Sequence, residues 1–150
     1  MKKLIFSLLL LSVCFSIAAG EKHVGFAYHS FTVKDRNFEV VQEYKEEGHP
    51  LGVIIDAIID GTQMIGVTLG KETVYEVQIV NTVDDDGLNP DLKCIIYQGG
   101  MKFQGEIVVI NVLYFYDVHK NKEIPEYVWI DVNNSPTIME LSGLVKINEN

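Results

Sequence analysis

The most conspicuous group of potential ligands in the sequence is an acidic loop. Asp84, Asp86 and Asp91 stand in it around Gly87 and Pro90. Carboxylate oxygens gathered at a tight turn are the ligands that Ca²⁺ prefers. The spacing departs from that of an EF-hand loop, because the glycine comes too early and no glutamate follows at the distance of a bidentate ligand. The sequence therefore favours a solvated turn shaped by glycine and proline, with a calcium site as the alternative.

The cysteines and histidines give no support to nucleophilic or metal-dependent catalysis. Beyond the N-terminal segment Cys94 is the only cysteine, and its apolar neighbours predict a buried thiol that acts as a small hydrophobe. A reactive thiol or an intermolecular disulfide is the alternative. No two histidines stand three or four residues apart, as the ligands of a local metal site often do. The histidines beyond that segment are His23, His29, His49 and His119.

The chain also lacks the short motifs that carry a known mechanism. It contains no nucleophile elbow, no phosphate-binding or dinucleotide-binding glycine loop, no zinc-protease motif and no C-x-x-C pair. We therefore predict no catalytic residues, no cofactor and no resident metal. The chain is predicted to be a small binding or inhibitor protein that engages its partner through a sheet face, rather than an enzyme. A small secreted hydrolase with an unrecognised acidic site is the alternative, since glycoside hydrolysis needs only two suitably spaced carboxyl groups.

Aromatic side chains near the C-terminus indicate a binding surface. Residues 127–132 read Tyr-Val-Trp-Ile-Asp-Val, so aliphatic side chains alternate with aromatic or acidic ones. In a strand only one of these two sets can face a one-sided core. The aliphatic set is the better core set, because burying the carboxylate of Asp131 without a partner would be costly. Tyr127 and Trp129 are then predicted to point outward, about 7 Å apart.

An exposed pair of Tyr and Trp can stack on a sugar ring or anchor a protein partner. Tyr114 and Tyr116, on the preceding strand, are predicted to widen this platform if the two strands pair. The alternative reverses the strand and buries Trp129, the only tryptophan of the chain, in the core.

The charge balance narrows the class of partner. The chain carries 21 acidic and 12 basic residues, a formal net charge of −9, and Arg36 is its only arginine. Such a charge repels the phosphate backbone of nucleic acids and the anionic surface of membranes. We therefore expect a protein or glycan partner, and a basic surface on any protein partner.

The pattern of the chain favours a sheet protein. Val and Ile together supply 34 of the 150 residues, and short apolar stretches alternate with turn clusters. We predict an all-β fold, an antiparallel β-sandwich or barrel of about eight to ten short strands. Turns are predicted at 70–71, 98–100 and 133–136. Strands are predicted at 24–33, 38–44, 63–69, 72–83, 92–97, 102–118, 127–132 and 138–147.

The patterns of two segments, 37–61 and 102–118, differ from that of a strand with one solvent-facing side. Residues 37–61 also fit one or two helices, which would make the fold α+β, because isoleucines at 54, 55, 58 and 59 suit either periodicity. Residues 102–118 are apolar on both faces, which predicts a strand in the middle of a sandwich or between two sheets, with a bend at Gly105.

The first 20 residues have the organisation of a signal peptide. Lys2 and Lys3 precede an apolar stretch of about 14 residues, and small residues at 18–20 suit a signal peptidase. The stretch is shorter than the roughly 20 residues that span a bilayer. A lipoprotein acylated at Cys14 is the alternative, although Val13 is a poor residue before a modified cysteine.

Cleavage after Gly20 would leave a mature β-rich domain of residues 21–150. Loss of two lysines and no acid changes the formal net charge from −9 to −11. We predict a periplasmic or secreted protein that does not insert into the membrane after cleavage.

Overall fold

The computed structural model describes residues 23–85, 89–120 and 123–147. The predicted signal peptide with Cys14, Asp86 of the acidic loop, and the last three residues lie outside the described residues. Within the described ranges the chain forms nine strands and no helix. They are β1 (His23–Asp35), β2 (Val40–Lys45), β3 (Gly52–Ile59), β4 (Thr62–Leu69), β5 (Glu72–Asp85), β6 (Leu92–Phe103), β7 (Glu106–Asp117), β8 (Tyr127–Val132) and β9 (Thr137–Lys146).

The strands form a closed antiparallel barrel with one extra strand. Neighbours pair in chain order from β3 to β9, and β1 pairs with both β3 and β9. Eight strands therefore close the barrel, and β2 is the additional one. Closure removes the free edges that an open sheet would expose. The all-β prediction is confirmed, and the architecture is that of a barrel.

One edge of β1 is shared between two strands. Residues from His23 to Tyr28 pair with β3, and residues from Ser30 to Lys34 pair with β2. All six residues of β2 are exposed. The β1–β2 hairpin therefore extends one wall of the barrel beyond the end of β3.

One face of each closing strand packs its side chains into the interior of the barrel, as an eight-stranded barrel permits. Tyr28 is the largest fully buried side chain, and its hydroxyl donates a hydrogen bond to the carbonyl oxygen of Thr68 at 2.5 Å. This bond satisfies a polar group that burial would otherwise leave unpaired. The other fully buried side chains are Phe26, Ile54, Ile65, Val77, Ile110, Val112, Val128, Ile130 and Leu141.

The turn predicted at residues 98–100 is wrong. β6 continues through these residues, and the chain turns instead at Gln104 and Gly105, whose φ angles are 52° and 81°. A Cβ on Gly99 would lie 2.0 Å from the carbonyl oxygen of Gln78, beside an irregularity in the pairing of β5 with β6. Gly99 therefore permits a close approach of two strands rather than a change of direction.

The helical alternative for residues 37–61 is also excluded. The segment contains β2 and β3, joined by a loop that ends at Leu51. Ile54 packs in the interior, whereas Ile55 and Ala57 form a small separate cluster on the other face of β3. Because both faces of β3 bury apolar side chains, its sequence lacks the alternation that would have identified a strand.

The environment predicted for residues 102–118 needs correction. β7 lies in the wall of a single barrel, not between two sheets. The outer face of its first half is open to solvent, with Ile107 73% and Val109 49% exposed. The outer side chains of its second half, Leu113 and Phe115, are half-buried. Phe115 belongs to a group of aromatic rings on the outside of the barrel.

Candidate functional site

β8 divides its side chains between the interior and the outer surface. Val128 and Ile130 are fully buried inside the barrel, and Val132 packs partly against the same core. Tyr127 and Trp129 are therefore directed to the outside, as the alternation predicts. Both are half-buried rather than open, so neighbouring side chains cover part of each ring.

Four aromatic residues form a continuous cluster on this outer surface. The ring centroid of Phe115 lies 4.6 Å from that of Tyr127 and 4.7 Å from that of Trp129. Phe38, from the turn of the β1–β2 hairpin, stacks on Trp129 at 5.4 Å with an interplanar angle of 22°. We call Phe38, Phe115, Tyr127 and Trp129 the aromatic face.

Polar contacts fix the tryptophan within the aromatic face. The indole Nε1 of Trp129 donates a hydrogen bond of 2.9 Å to Glu140 on the adjacent strand β9. The same carboxylate oxygen lies 2.7 Å from the ammonium of Lys34 on β1, and the two side chains are 16% and 22% exposed. Charge-assisted contacts at this distance are strong when partly shielded from water.

A second set of contacts fixes the hairpin that carries Phe38. Arg36 donates from Nη1 to the carboxylate of Asp131 at 2.8 Å and from Nη2 to the carbonyl oxygen of Ser135 at 2.7 Å. The predicted cost of burying Asp131 is thus avoided by pairing it at the surface. Phe38 itself has a φ angle of 64°, a conformation unusual for a bulky residue. The hairpin is therefore held against β8 and β9, with the Phe38 ring over Trp129.

Tyr114 and Tyr116 do not belong to this surface. β7 and β8 do pair, but Tyr114 stands opposite Val128, so it points into the barrel and is 3% exposed. Tyr116 lies on the same inner side, with its ring stacked on that of Tyr114 at 6.4 Å. Phe115 takes the place predicted for them, because it stands opposite Tyr127.

Phe115 and Phe38 were not predicted from the sequence, for different reasons. Phe115 is next to both tyrosines, and only the pairing register decides which of these neighbours faces outward. Phe38 is 91 positions from Trp129 in the chain, and no local pattern predicts their contact.

Cys94 is a buried free thiol, as predicted. It is 8% exposed and stands opposite Phe115, so it lies beside the aromatic face and not among the interior core residues. Burial, and secondarily the charge of Asp85, raises the pKa of the Cys94 thiol to about 11. Since the thiolate is the reactive form, this environment disfavours nucleophilic chemistry.

The acidic loop shows no clustered ligands in its described part. Asp84 lies in β5, and the carboxylate of Asp91 contacts the Nε2 of His119 at 3.0 Å, where both side chains are well exposed. Asp86 lies outside the described residues. Within residues 23–85, 89–120 and 123–147 no group of three His, Cys, Asp or Glu side chains is placed to hold a metal ion. The calcium alternative therefore gains no support from the described residues.

Comparison with known proteins adds no functional assignment. No protein-family model, no curated protein sequence and no solved structure matches the chain. Among the described residues there is also no helix of the length and apolar character needed to cross a membrane.

Proposed function

We propose that this protein is an exported binding protein that engages a protein partner through the aromatic face. The observation that carries the proposal is the cluster itself. Four contiguous rings lie on the outside of the barrel, separate from the interior core, and the outermost ring, Phe38, is 54% exposed. Tyr, Trp and Phe in such clusters are enriched at the energetic centres of protein interfaces. The signal-peptide pattern of residues 1–20 supports export.

The arrangement of the rings favours a protein partner over a glycan. A sugar would stack on an open, flat ring, but Phe38 covers one face of Trp129. The indole nitrogen of Trp129 already donates its hydrogen bond to Glu140. Tyr127 is tilted by 34° and Phe115 by 62° relative to Trp129, so the cluster forms an uneven apolar surface. Side chains of a protein can interlock with such a surface.

The charge of the chain favours a basic partner. The formal net charge is −9, and Glu39 and Glu43 are exposed on the hairpin that borders the aromatic face. Long-range attraction by this charge would increase the association rate with a basic protein and would weaken as salt is added.

The test compares two phenylalanines of equal exposure. Phe38 and Phe103 are 54% and 55% exposed, but only Phe38 belongs to the aromatic face. The exported protein and the variants Phe38→Asn and Phe103→Asn are cross-linked to the envelope and medium proteins of the producing cell. Asparagine tolerates the left-handed backbone at position 38. The captured partner is then purified and its affinity measured for all three proteins.

We expect Phe38→Asn to weaken binding at least about tenfold and Phe103→Asn to leave it unchanged, as truncation of a central interface residue does. Equal binding by all three proteins would refute the aromatic face as the binding surface. Retention on an immobilised glycan that depends on Phe38 would replace the protein partner with a carbohydrate.

A further inference from the structure

A second candidate site lies inside the barrel, at the end where β1 begins. The first residues of β1, the second half of β3 and the last residues of β7 and β9 surround a cavity of about 270 Å³ there. This volume is close to the lower limit of about 300 Å³ for ligand pockets. The residues that define its chemistry are Phe26, Asp56, Tyr97, Tyr114, Tyr116 and Lys146.

Tyr114 supplies an unsatisfied polar group to the cavity. Its side chain is 3% exposed, and its hydroxyl is buried without a hydrogen-bond partner among the described residues. Buried hydroxyl groups are paired in the large majority of native structures, because an unpaired one loses its hydrogen bonds to water without replacement. A molecule in the cavity that donates or accepts a hydrogen bond would satisfy this hydroxyl.

The carboxylate of Asp56 brings a negative charge to the cavity, and no described cation neutralises it. Its two carboxylate oxygens each lie 3.0 Å from the amide nitrogen of Gln63. It forms no ion pair within the described part of the chain. Lys146 is the single described cation that lines the cavity, and its ammonium lies 3.5 Å from Glu123 in an exposed pair at the mouth. A half-buried carboxylate that is hydrogen-bonded only to a neutral amide can accept a cation.

Three tyrosine rings line the same cavity as this carboxylate. Tyr97 meets Tyr114 edge-on at 5.2 Å, and Tyr114 is stacked on Tyr116. Burial first, and then the charge of Asp56, raises the pKa of Tyr97 and Tyr116 to about 12 and that of Tyr114 well above its ordinary value. All three phenols therefore stay neutral near pH 7.

We infer that this cavity binds a small organic ammonium ion, with Asp56 as its counter-charge and Tyr97, Tyr114 and Tyr116 as its aromatic walls. Aromatic rings attract ammonium groups through their negative faces. The hydroxyl of Tyr114 can accept a hydrogen bond from an N–H of the ligand. An anionic ligand would be repelled by Asp56, and a neutral one would leave that charge unpaired. This site is independent of the aromatic face.

The first experiment measures recognition of charge. n-Butylammonium chloride, tetramethylammonium chloride and the neutral isostere 1-butanol are titrated into the exported protein at constant ionic strength, and binding is followed by NMR amide shifts and calorimetry. We expect saturable binding of n-butylammonium with shifts confined to residues around the cavity. Equal binding of 1-butanol, or no binding of either ammonium ion, would overturn the inference.

Single-residue variants then test which side chains bind the ammonium ion. We expect Asp56→Asn to weaken n-butylammonium binding at least tenfold and Tyr114→Phe to weaken it about threefold to tenfold. Glu106→Gln, which removes an exposed carboxylate elsewhere, and Phe38→Asn should leave it unchanged. Unchanged binding in Asp56→Asn would place the cation outside this cavity.

The melting temperatures of the same variants distinguish a loss of ligand binding from a loss of folding. Tyr114→Phe removes a hydroxyl without a partner, so the ligand-free variant should melt no lower than the parent protein. A destabilised Tyr114→Phe would show that the hydroxyl already has a partner in solution and would remove the main reason for expecting a ligand.

Discussion

The carboxyl group of Asp56 illustrates how one residue can make stability depend on pH. Burial raises its pKa, and the hydrogen bond from Gln63 opposes this shift. A carboxyl group whose pKa is higher in the folded state than in the unfolded state holds its proton more tightly when folded. The free energy of unfolding therefore falls as the pH rises from the unfolded pKa, near 3.8, through the folded one.

We therefore expect Asp56→Asn to raise the free energy of unfolding of the ligand-free protein at neutral pH. Near pH 3 the gain should largely vanish, because the native carboxyl group is then mostly protonated in both states. Urea unfolding at both pH values measures this. An equal gain at both values would assign the effect to packing, and a loss at neutral pH would mean that Asp56 is paired with a cation such as Lys146.

Cys94 gives a prediction that depends on burial alone. Because the thiol is 8% exposed and its pKa is about 11, iodoacetamide should label it slowly in native buffer and rapidly in denaturant. Cys94→Ser should lower the free energy of unfolding by about 1–3 kcal/mol, since the added hydroxyl would be buried without a partner. Cys94→Ala, without that hydroxyl, is the control. Rapid labelling of the native protein would contradict this assignment.

Among the strands, the alternation of apolar and polar residues correctly predicts which side chains of β5 and β8 face the interior. In β5 the alternate residues Tyr75, Val77 and Ile79 share one face, where Val77 and Ile79 are buried and Tyr75 packs against the core. β8 has the predicted bounds and the predicted inner face. In both strands one face is wet, so the two-residue period is visible in the sequence.

Gly99 lies within β6 although a turn was predicted at residues 98–100, and a substitution can test why the strand continues there. We expect Gly99→Ala to lower the free energy of unfolding by about 1–3 kcal/mol or more, because its Cβ would meet the backbone of Gln78 at 2.0 Å. Gly48→Ala is the matched control, since nothing lies within 4 Å of its Cβ. Thermal melting compares the two variants. Similar melting temperatures would mean that β5 and β6 can separate at this point, as a turn at Gly99 would allow.

At the scale of the whole molecule, the prediction of export can be tested by mass. The intact mass of the exported protein should correspond to a chain that begins at or next to Glu21. A diacylated chain that begins at Cys14 would identify a lipoprotein. An uncleaved chain in the membrane fraction would contradict both expectations.

The sequence predicts the all-β class of fold and the acidic charge, and it favours the observed outer side of β8 over the reversed strand. These properties follow from composition and from the period of a single strand, which are local. It also identified Tyr127 and Trp129 as the outward rings, although their role in binding stays a prediction.

The residues that complete each site depend on contacts between strands that are distant in the sequence. A shift of one residue in the pairing of β7 with β8 would exchange Phe115 for Tyr114 on the outer surface. The stacking of Phe38 on Trp129 depends on the hairpin bending over β8, and the grouping of Asp56 with three tyrosines depends on the strands closing into a barrel. The pairing register of the strands and the closure of the barrel depend on packing among all nine described strands. Neither can therefore be predicted from a short segment of the sequence.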